Sequence, residues 1–310
     1  MTSSIGASSP ARDISAFPAA QRSLPKRIGP WQPVRWIADG AIFQVYQARP
    51  VDVSASGRPC YAVKVLNSAC HDRSDALELL RREAVVGTTV SDPQLVCVLD
   101  CSLKEPPYYL AMPWIAGSNL ADVLVRQGSL ATPTALWIAR QVAQALAALH
   151  RSGWMHSDVK PENIVVAPDG HATLIDLAFA QSSRQQRSAA ERPVAGTANY
   201  MAPEMFTSAL AADIRSDIYS LGITLYEMLT GQLPYEGRNP AEVAALQRDG
   251  VPDRLRCLAP LLPMEIVTLV RQMIAKEPLR RPQTPDELLE RLVALEIQSL
   301  GDRIESMSGE

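Results

Sequence analysis

Between Met155 and Ala180 the chain reads MHSDVKPENIVVAPDGHATLIDLAFA, gathering His156, Asp158, Lys160, Asn163 and Asp176 around two apolar segments. An amide and a carboxylate converging at one place suit a hard cation held by oxygen, with its other positions left to water and phosphate. Their spacing in sequence allows this. A polar loop leads into the run Ile164-Val165-Val166, a turn follows at Pro168-Asp169-Gly170, and Ala172–Ile175 runs back to Asp176. That is a hairpin with a polar loop at its entrance and a carboxylate at its exit. Lysine is scarce beside arginine, occurring only at positions 26, 64, 104, 160 and 276, so Lys64 and Lys160 stand out as positions that need Lys.

The elements that must position these residues change character along the chain. From Trp31 to about Met112 short β-type runs dominate: Pro33–Ala38, Phe43–Ala48, Tyr61–Leu66, Leu95–Leu99 and Tyr108–Met112. One helical pattern interrupts them at Ser74–Val86, where Ala76, Leu77, Leu80 and Ala84 recur at helical spacing behind Ser74 as N-cap. After AGSN the pattern turns helical, first over Thr132–Arg151, then over Ser216–Thr230, Pro240–Arg248, Pro263–Ile274 and Pro285–Ile297. The order is a small β-rich lobe with one helix, followed by a larger helical lobe, with a boundary near MPWIAG.

With these residues in view, HSDVKPEN and IDLA resemble the catalytic loop and metal-binding motif of protein kinases, usually H-R-D-x-K-x-x-N and D-F-G. The resemblance runs over roughly residues 31 to 297 and implies an α+β, bilobal fold. YAVK is similar to the family's third-strand motif, which makes Lys64 the partner of the nucleotide's α- and β-phosphates and Glu83 its ion-pair partner, with Glu78 fitting less well. GTANYMAPE resembles the end of the activation segment, SDIYSLG the helix whose Asp217 anchors the catalytic loop, and RRP supplies Arg281 to pair with Glu204. The resemblance further implies Asp158 as the group that receives or orients the substrate hydroxyl proton and Lys160 as neutraliser of the γ-phosphate, with Thr197 packed against both. Asn163 and Asp176 would hold Mg²⁺ (or Mn²⁺) on ATP, and Ala38, Gly40, Val45, Ala62, Lys64, Met112, Pro113, Ile115 and Val165 would line the nucleotide site.

The departures from the family pattern are as informative. The phosphate loop ADGAIFQV keeps only Gly40, with Ala38 and Phe43 in place of two glycines that normally let backbone approach phosphate. Phe43 either folds over the nucleotide or packs under the sheet. Pro113 in the hinge keeps the carbonyl an adenine needs and loses only an N–H. DLA replaces D-F-G, so Leu177 can fill an apolar column while Ala178 restricts the backbone. Gly87 stands where the family places a large apolar residue, a gap that would loosen the helix carrying Glu83. Ser157 replaces an Arg that normally pairs with a phosphate on the activation segment, so a phosphate on Ser182, Ser183 or Ser188 would not be read there.

The 310 residues can bury a large core, and 47% hydrophobic with 20% charged residues is a globular composition. A net charge of −3 leaves no basic footprint for nucleic acid. No apolar run reaches membrane-span length; the best, Leu258 to Val270, contains two prolines and Glu265. The odd count of five cysteines lacks metal-ligand spacing and suggests reduced thiols in the cytoplasm. The expected organisation is a disordered tail over 1–30, an N-lobe over 31–113, a C-lobe over 114–300 and a short tail over 301–310. The leading reading is a Ser/Thr protein kinase that also autophosphorylates, of the Hanks-type bacterial kind that the compact form resembles. It would act on proteins bearing Ser or Thr and take its input from a regulatory partner protein. A pseudokinase scaffold is the alternative, supported by the poor glycine loop, Ala178 and Gly87. A small-molecule phosphotransferase would have no reason to keep Lys160 and GTANYMAPE.

Overall fold

The computed structural model describes residues 24–52, 60–182, 198–206, 212–250, 255 and 259–308, with side chains through 299. Thr197, Ser183, Ser188 and most of the N-terminal tail lie outside the described residues.

Five antiparallel strands form the first layer: β1 (Trp31–Asp39), β2 (Phe43–Pro50), β3 (Tyr61–Leu66), β4 (Asp100–Ser102) and β5 (Tyr109–Pro113), in the order β1-β2-β3-β5-β4. Alternation along the central strand β3 sends Ala62, Lys64 and Leu66 to one face and Val63 to the other. The register places Lys64 opposite Val45 on β2 and Leu110 on β5. On the outer face Ile28, Trp31, Tyr46, Val63 and Tyr109 form a small core of their own. The inner face carries α1 (Ser74–Thr89), which buries Ala76, Leu80, Glu83 and Ala84.

The second layer begins with β6 (Ser118–Asn119) and α2 (Leu120–Gln127), capped where Asn119 accepts from the Asp122 N–H at 2.7 Å. Next comes α3 (Thr132–Arg151), whose Leu136, Val142, Leu146 and Leu149 are fully enclosed; burial of each contributes about 2 kcal/mol. β7 (Trp154–Met155) leads to the polar loop, and β8 (Ile164–Val166) and β9 (Ala172–Leu174) make the hairpin, joined to β6 in a three-stranded sheet. β10 (Gln181–Ser182) pairs with β7. Among the described residues four further α-helices follow: α4 (Ile214–Thr230), α5 (Pro240–Asp249), α6 (Met264–Met273) and α7 (Pro285–Ser308). α3 packs on α4 and α7. One apolar cluster runs from Leu66, Leu80 and Leu110 through Leu174 and Leu177 to Leu146 and Ile218, so both layers share a core.

Several expectations shift. Leu95–Leu99 is not a strand of the large sheet: Val96 N–H donates to Leu174 O and Leu174 N–H to Gln94 O, which ties the run to β9, and sheet pairing begins only near Asp100. The fifth strand starts at Tyr109 rather than Tyr108. Ser74 is the first helical residue and not the cap, since Arg73 occupies that place. The last helix continues to Ser308 through what was expected to be a tail beyond residue 300. α2, which has no counterpart in the expected elements, is short, and its only buried residues are Leu120 and Leu124, one turn apart. Gly87 leaves no gap: a Cβ there would lie 2.7 Å from Val98 Cγ2, and Val98 N–H donates to Gly87 O at 2.9 Å. The missing side chain allows the Val96–Val98 run to close against α1.

Candidate active site

The hairpin does what its spacing promised. Ile164 pairs with Leu174, and beyond that rung Ile175 N–H donates to Asn163 O at 2.8 Å, which delivers Asp176 beside the polar loop. The loop is hung from α4. Asp217 accepts from the backbone N–H of His156 at 2.6 Å and of Ser157 at 2.8 Å, so one buried carboxylate satisfies two donors. Burial pushes the Asp217 carboxyl up to about 7 even though those two N–H groups pull it down. Ser157 adopts φ 68°, a conformation costing about 1–2 kcal/mol for an L-residue. Its hydroxyl is buried without a hydrogen-bond partner.

His156 connects the loop to the hairpin. Asp158 N–H donates to its Nδ1 at 3.3 Å, so the ring proton sits on Nε2, which donates to Ile175 O at 3.1 Å. The ring is fully enclosed, and burial lowers its pKa to about 4, consistent with a neutral bridge.

Asp158 itself is held by two side chains. Lys160 Nζ reaches its Oδ2 at 2.8 Å and Oδ1 at 3.1 Å, and Asn163 Nδ2 donates to Oδ2 and to the main-chain oxygen, both at 2.8 Å. Burial raises the Asp158 carboxyl above the usual range and the Lys160 ammonium restrains the rise. The Asn163 amide nitrogen is thus used up, while its Oδ1 remains for another partner.

Across the cleft Lys64 Nζ bonds Glu83 Oε2 at 2.7 Å and Asp176 Oδ1 at 2.8 Å. Burial works against the ammonium, but Asp176 and then Glu83 outweigh it and keep its pKa above the ordinary lysine range. The two carboxylates share one cation. Burial leaves Glu83 raised; it opposes Asp176 too, but there the Lys64 charge wins and the carboxyl sits low. Glu78, the poorer candidate, is half-exposed and lies 3.7 Å from Arg82 instead. Asp176 has φ 67°, and Ala178 N–H approaches its Oδ1 at 3.4 Å. Leu177 is completely buried in the shared core, as a column-filling residue should be.

Val45 and Ala62 form the sheet-side wall next to Lys64, and Val165 on β8 lies half-buried in the other layer. Met112 is buried next to the end of β5, half-buried Pro113 closes the strand, and Ile115 beyond it is also half-buried; Trp114 N–H donates to Cys60 O at 2.7 Å. Ala38 and Gly40 are exposed at the β1–β2 turn. Phe43 does both: partly buried, it packs against the edge of the shared core, and its ring centroid stands 4.8 Å from Lys64 Nζ. Away from the cleft, Arg281 makes the expected bidentate pair with Glu204 at 2.6 and 2.8 Å, with Ser216 Oγ donating to the same carboxylate.

Two participants escaped the sequence reading. Asn67, three residues after Lys64, donates to the carbonyls of Gly40 and Ala41, and nothing in a single sequence flags it. Gly117 was readable only as part of the lobe boundary MPWIAG; a side chain there would collide with Val166 O, because the hinge passes directly over β8.

The arrangement can hold a polyphosphate and a divalent cation between Lys64, Asp176 and Asn163, facing a restrained carboxylate. No cluster of three or more His, Cys, Asp or Glu able to bind a metal occurs among the described residues. One carboxylate plus one amide nevertheless fits Mg²⁺, which keeps waters and substrate phosphates as its other ligands. Nor is any helix among the described residues long and apolar enough to cross a membrane.

Comparison with known proteins agrees with this geometry. The family model described as protein kinase domain matches residues 31–292. The chain is 32% identical over 255 residues to a probable serine/threonine-protein kinase of Clostridium perfringens, covering 82% of this chain and 36% of that protein. It is 33% identical to the serine/threonine-protein kinase PknE of Mycobacterium bovis, over 84% of this chain and 45% of the relative. Identity to PrkC of Bacillus subtilis, also a serine/threonine-protein kinase, is 28% over 85% of this chain and 40% of that one. The chain therefore spans less than half the length of these relatives.

Proposed function

The chain belongs to the protein kinase domain family, and from that premise we propose that it transfers the γ-phosphoryl group of ATP to Ser or Thr hydroxyls of proteins. The observation that carries the reading is the double engagement of Lys64 with Glu83 and Asp176, facing an Asp158 held by Lys160 and Asn163. Phosphoryl transfer asks for positioning and neutralised charge, and little covalent help. Lys64, kept charged by its two carboxylates, holds the α- and β-phosphates, and Glu83 keeps Lys64 aimed. Asp176 and the Oδ1 of Asn163 would hold Mg²⁺, which would supply positive charge to the phosphates. Lys160 neutralises the γ-phosphate, and Asp158 orients the incoming hydroxyl and receives its proton. Val45 and Ala62 cover the adenine from above and Val165 from below, with Met112, Pro113 and Ile115 as the hinge edge and Ala38 and Gly40 at the phosphate turn.

Direction to Ser and Thr rests on Lys160 and on the names of the relatives. Residues 31–113 serve as the nucleotide lobe and 114–300 as the substrate lobe. No disulfide joins the described cysteines, which suits a reducing, cytoplasmic setting; the input would come from a regulatory partner. The test is incubation of the purified chain with radiolabelled Mg·ATP and a generic protein substrate, beside Asp158→Ala and Asp176→Ala. Label transferred by the wild type alone supports the proposal; no transfer by any of them, with ATP bound, would show a binding module instead.

A further inference from the structure

The turn between β1 and β2 is tied down to an unusual degree. Gly40 N–H donates to Phe43 O at 2.8 Å, closing the turn. Asn67 Nδ2 donates to Gly40 O at 2.8 Å and Ala41 O at 3.1 Å, and Asn67 N–H donates to Ile42 O at 2.9 Å. Cys70 Sγ adds a weak contact to Ala41 O at 3.7 Å. Each carbonyl from Gly40 to Phe43 is therefore claimed, three of them by Asn67. The Asn67 Oδ1 is buried without a partner, so this side chain serves through its amide hydrogens.

Strand alternation then decides where Phe43 points. Phe43 and Val45 share a face of β2, and Val45 pairs with Lys64, so the Phe43 ring is delivered over the ammonium at 4.8 Å. Lys64 is only 6% exposed: Glu83, Asp176 and the ring surround it. The ring thus covers one side of an ammonium that is otherwise taken by two carboxylates.

We propose that Phe43, held in place through Asn67, is a positioning residue that occupies the phosphate approach to Lys64, so that nucleotide binds only when the ring turns aside. This rests on the phosphotransfer reading of the cleft. The turn backbone stays clasped, and the side chain is the moving part.

The experiment is calorimetric titration of the full chain with Mg·ADP, alongside KM for ATP and kcat, for wild type, Phe43→Ala, Phe43→Leu, Asn67→Asp and the Phe43→Ala/Asn67→Asp pair. Phe43→Ala is expected to tighten nucleotide binding and lower KM about fivefold, the scale of a lost cation–π contact, with a smaller change in kcat. Phe43→Leu keeps the volume without the π face and falls between. Asn67→Asp turns two donors into acceptors facing carbonyls, frees the turn, and tightens binding in the Phe43 background. With Ala at position 43 it does so far less, because the two residues act as one unit. Weaker or unchanged binding in Phe43→Ala, or equal effects of Asn67→Asp in both backgrounds, overturns the proposal while leaving phosphotransfer intact. Failure of every variant to bind Mg·ADP overturns the phosphotransfer reading and this one with it.

Discussion

The two walls of the cleft solve the same problem in different ways. On the helical side the groups proposed to react are of the expected types and are braced at two levels: Asp158 by Lys160 and Asn163 of its own loop, and the loop in turn by Asp217 of α4 and, through His156, by the hairpin. On the sheet side the types depart from the family pattern at Ala38, Phe43 and Gly87, yet the geometry is kept. Val98 closes on Gly87, Asn67 holds the turn, and Lys64 still meets Glu83. The difference teaches that atoms which take part in bond making must be of one kind, whereas atoms that only fill or brace can be replaced by others of suitable shape.

The sharpest way to break the comparison is at the reacting carboxylate. Asp158→Asn removes the proton acceptor while preserving shape, and kcat is expected to fall by about 10³-fold with KM for ATP nearly unchanged. An equal rise in KM would show that Asp158 braces the nucleotide wall instead.

Acid tests the bridge between loop and hairpin. His156 is held neutral with its pKa lowered from 6.5 to about 4, so the unfolded chain binds a proton that the folded chain refuses. This contribution to stability is complete above about pH 6.5 and is lost as pH falls toward 4, about 3 kcal/mol over the window. The Asp217 carboxyl, pushed up to about 7, contributes a slope of opposite sign over the same range, so the test is the difference between wild type and His156→Gln. The wild type should lose denaturant midpoint relative to the variant as pH falls from 6.5 toward 4.

On the sheet side the prediction runs against the family pattern. Gly87→Leu restores the residue type usual there, but it collides with Val98 and is expected to destabilise the fold by about 2 kcal/mol in denaturant titration. A stabilised variant would mean that the helix and the Val96–Val98 run can separate without cost. The smallest effect belongs to Ser157. Ser157→Gly removes a buried, unpartnered hydroxyl and relieves φ 68°, against the entropy that Gly adds to the unfolded chain. Stability should rise by no more than about 1 kcal/mol, and a loss would reveal a use for the hydroxyl.

The legible parts of the molecule were those whose signal is local. The long helices over Thr132–Arg151 and Ile214–Thr230 show in their apolar spacing, and the hairpin carrying Asn163 and Asp176 shows in two short apolar runs around a Pro-Asp-Gly turn. The Leu95–Leu99 run was misread because an apolar, β-branched stretch looks alike whichever partner it pairs with, and its partner is Leu174. Ser157 was legible as an absent Arg, but its strained φ and orphaned hydroxyl were not.

By itself the sequence determined which groups are offered for chemistry, since Lys64, Glu83, Asp158, Lys160, Asn163 and Asp176 stand out by type and order, and side-chain type decides what charge or proton a group can carry. Only the tertiary structure decided how these groups are braced. Whether Gly87 is a hole or a contact, and whether the Phe43 ring reaches Lys64, depends on residues distant in the chain. Van der Waals contact and hydrogen bonding act over a few ångströms of space, so such partners become neighbours only when the chain is folded.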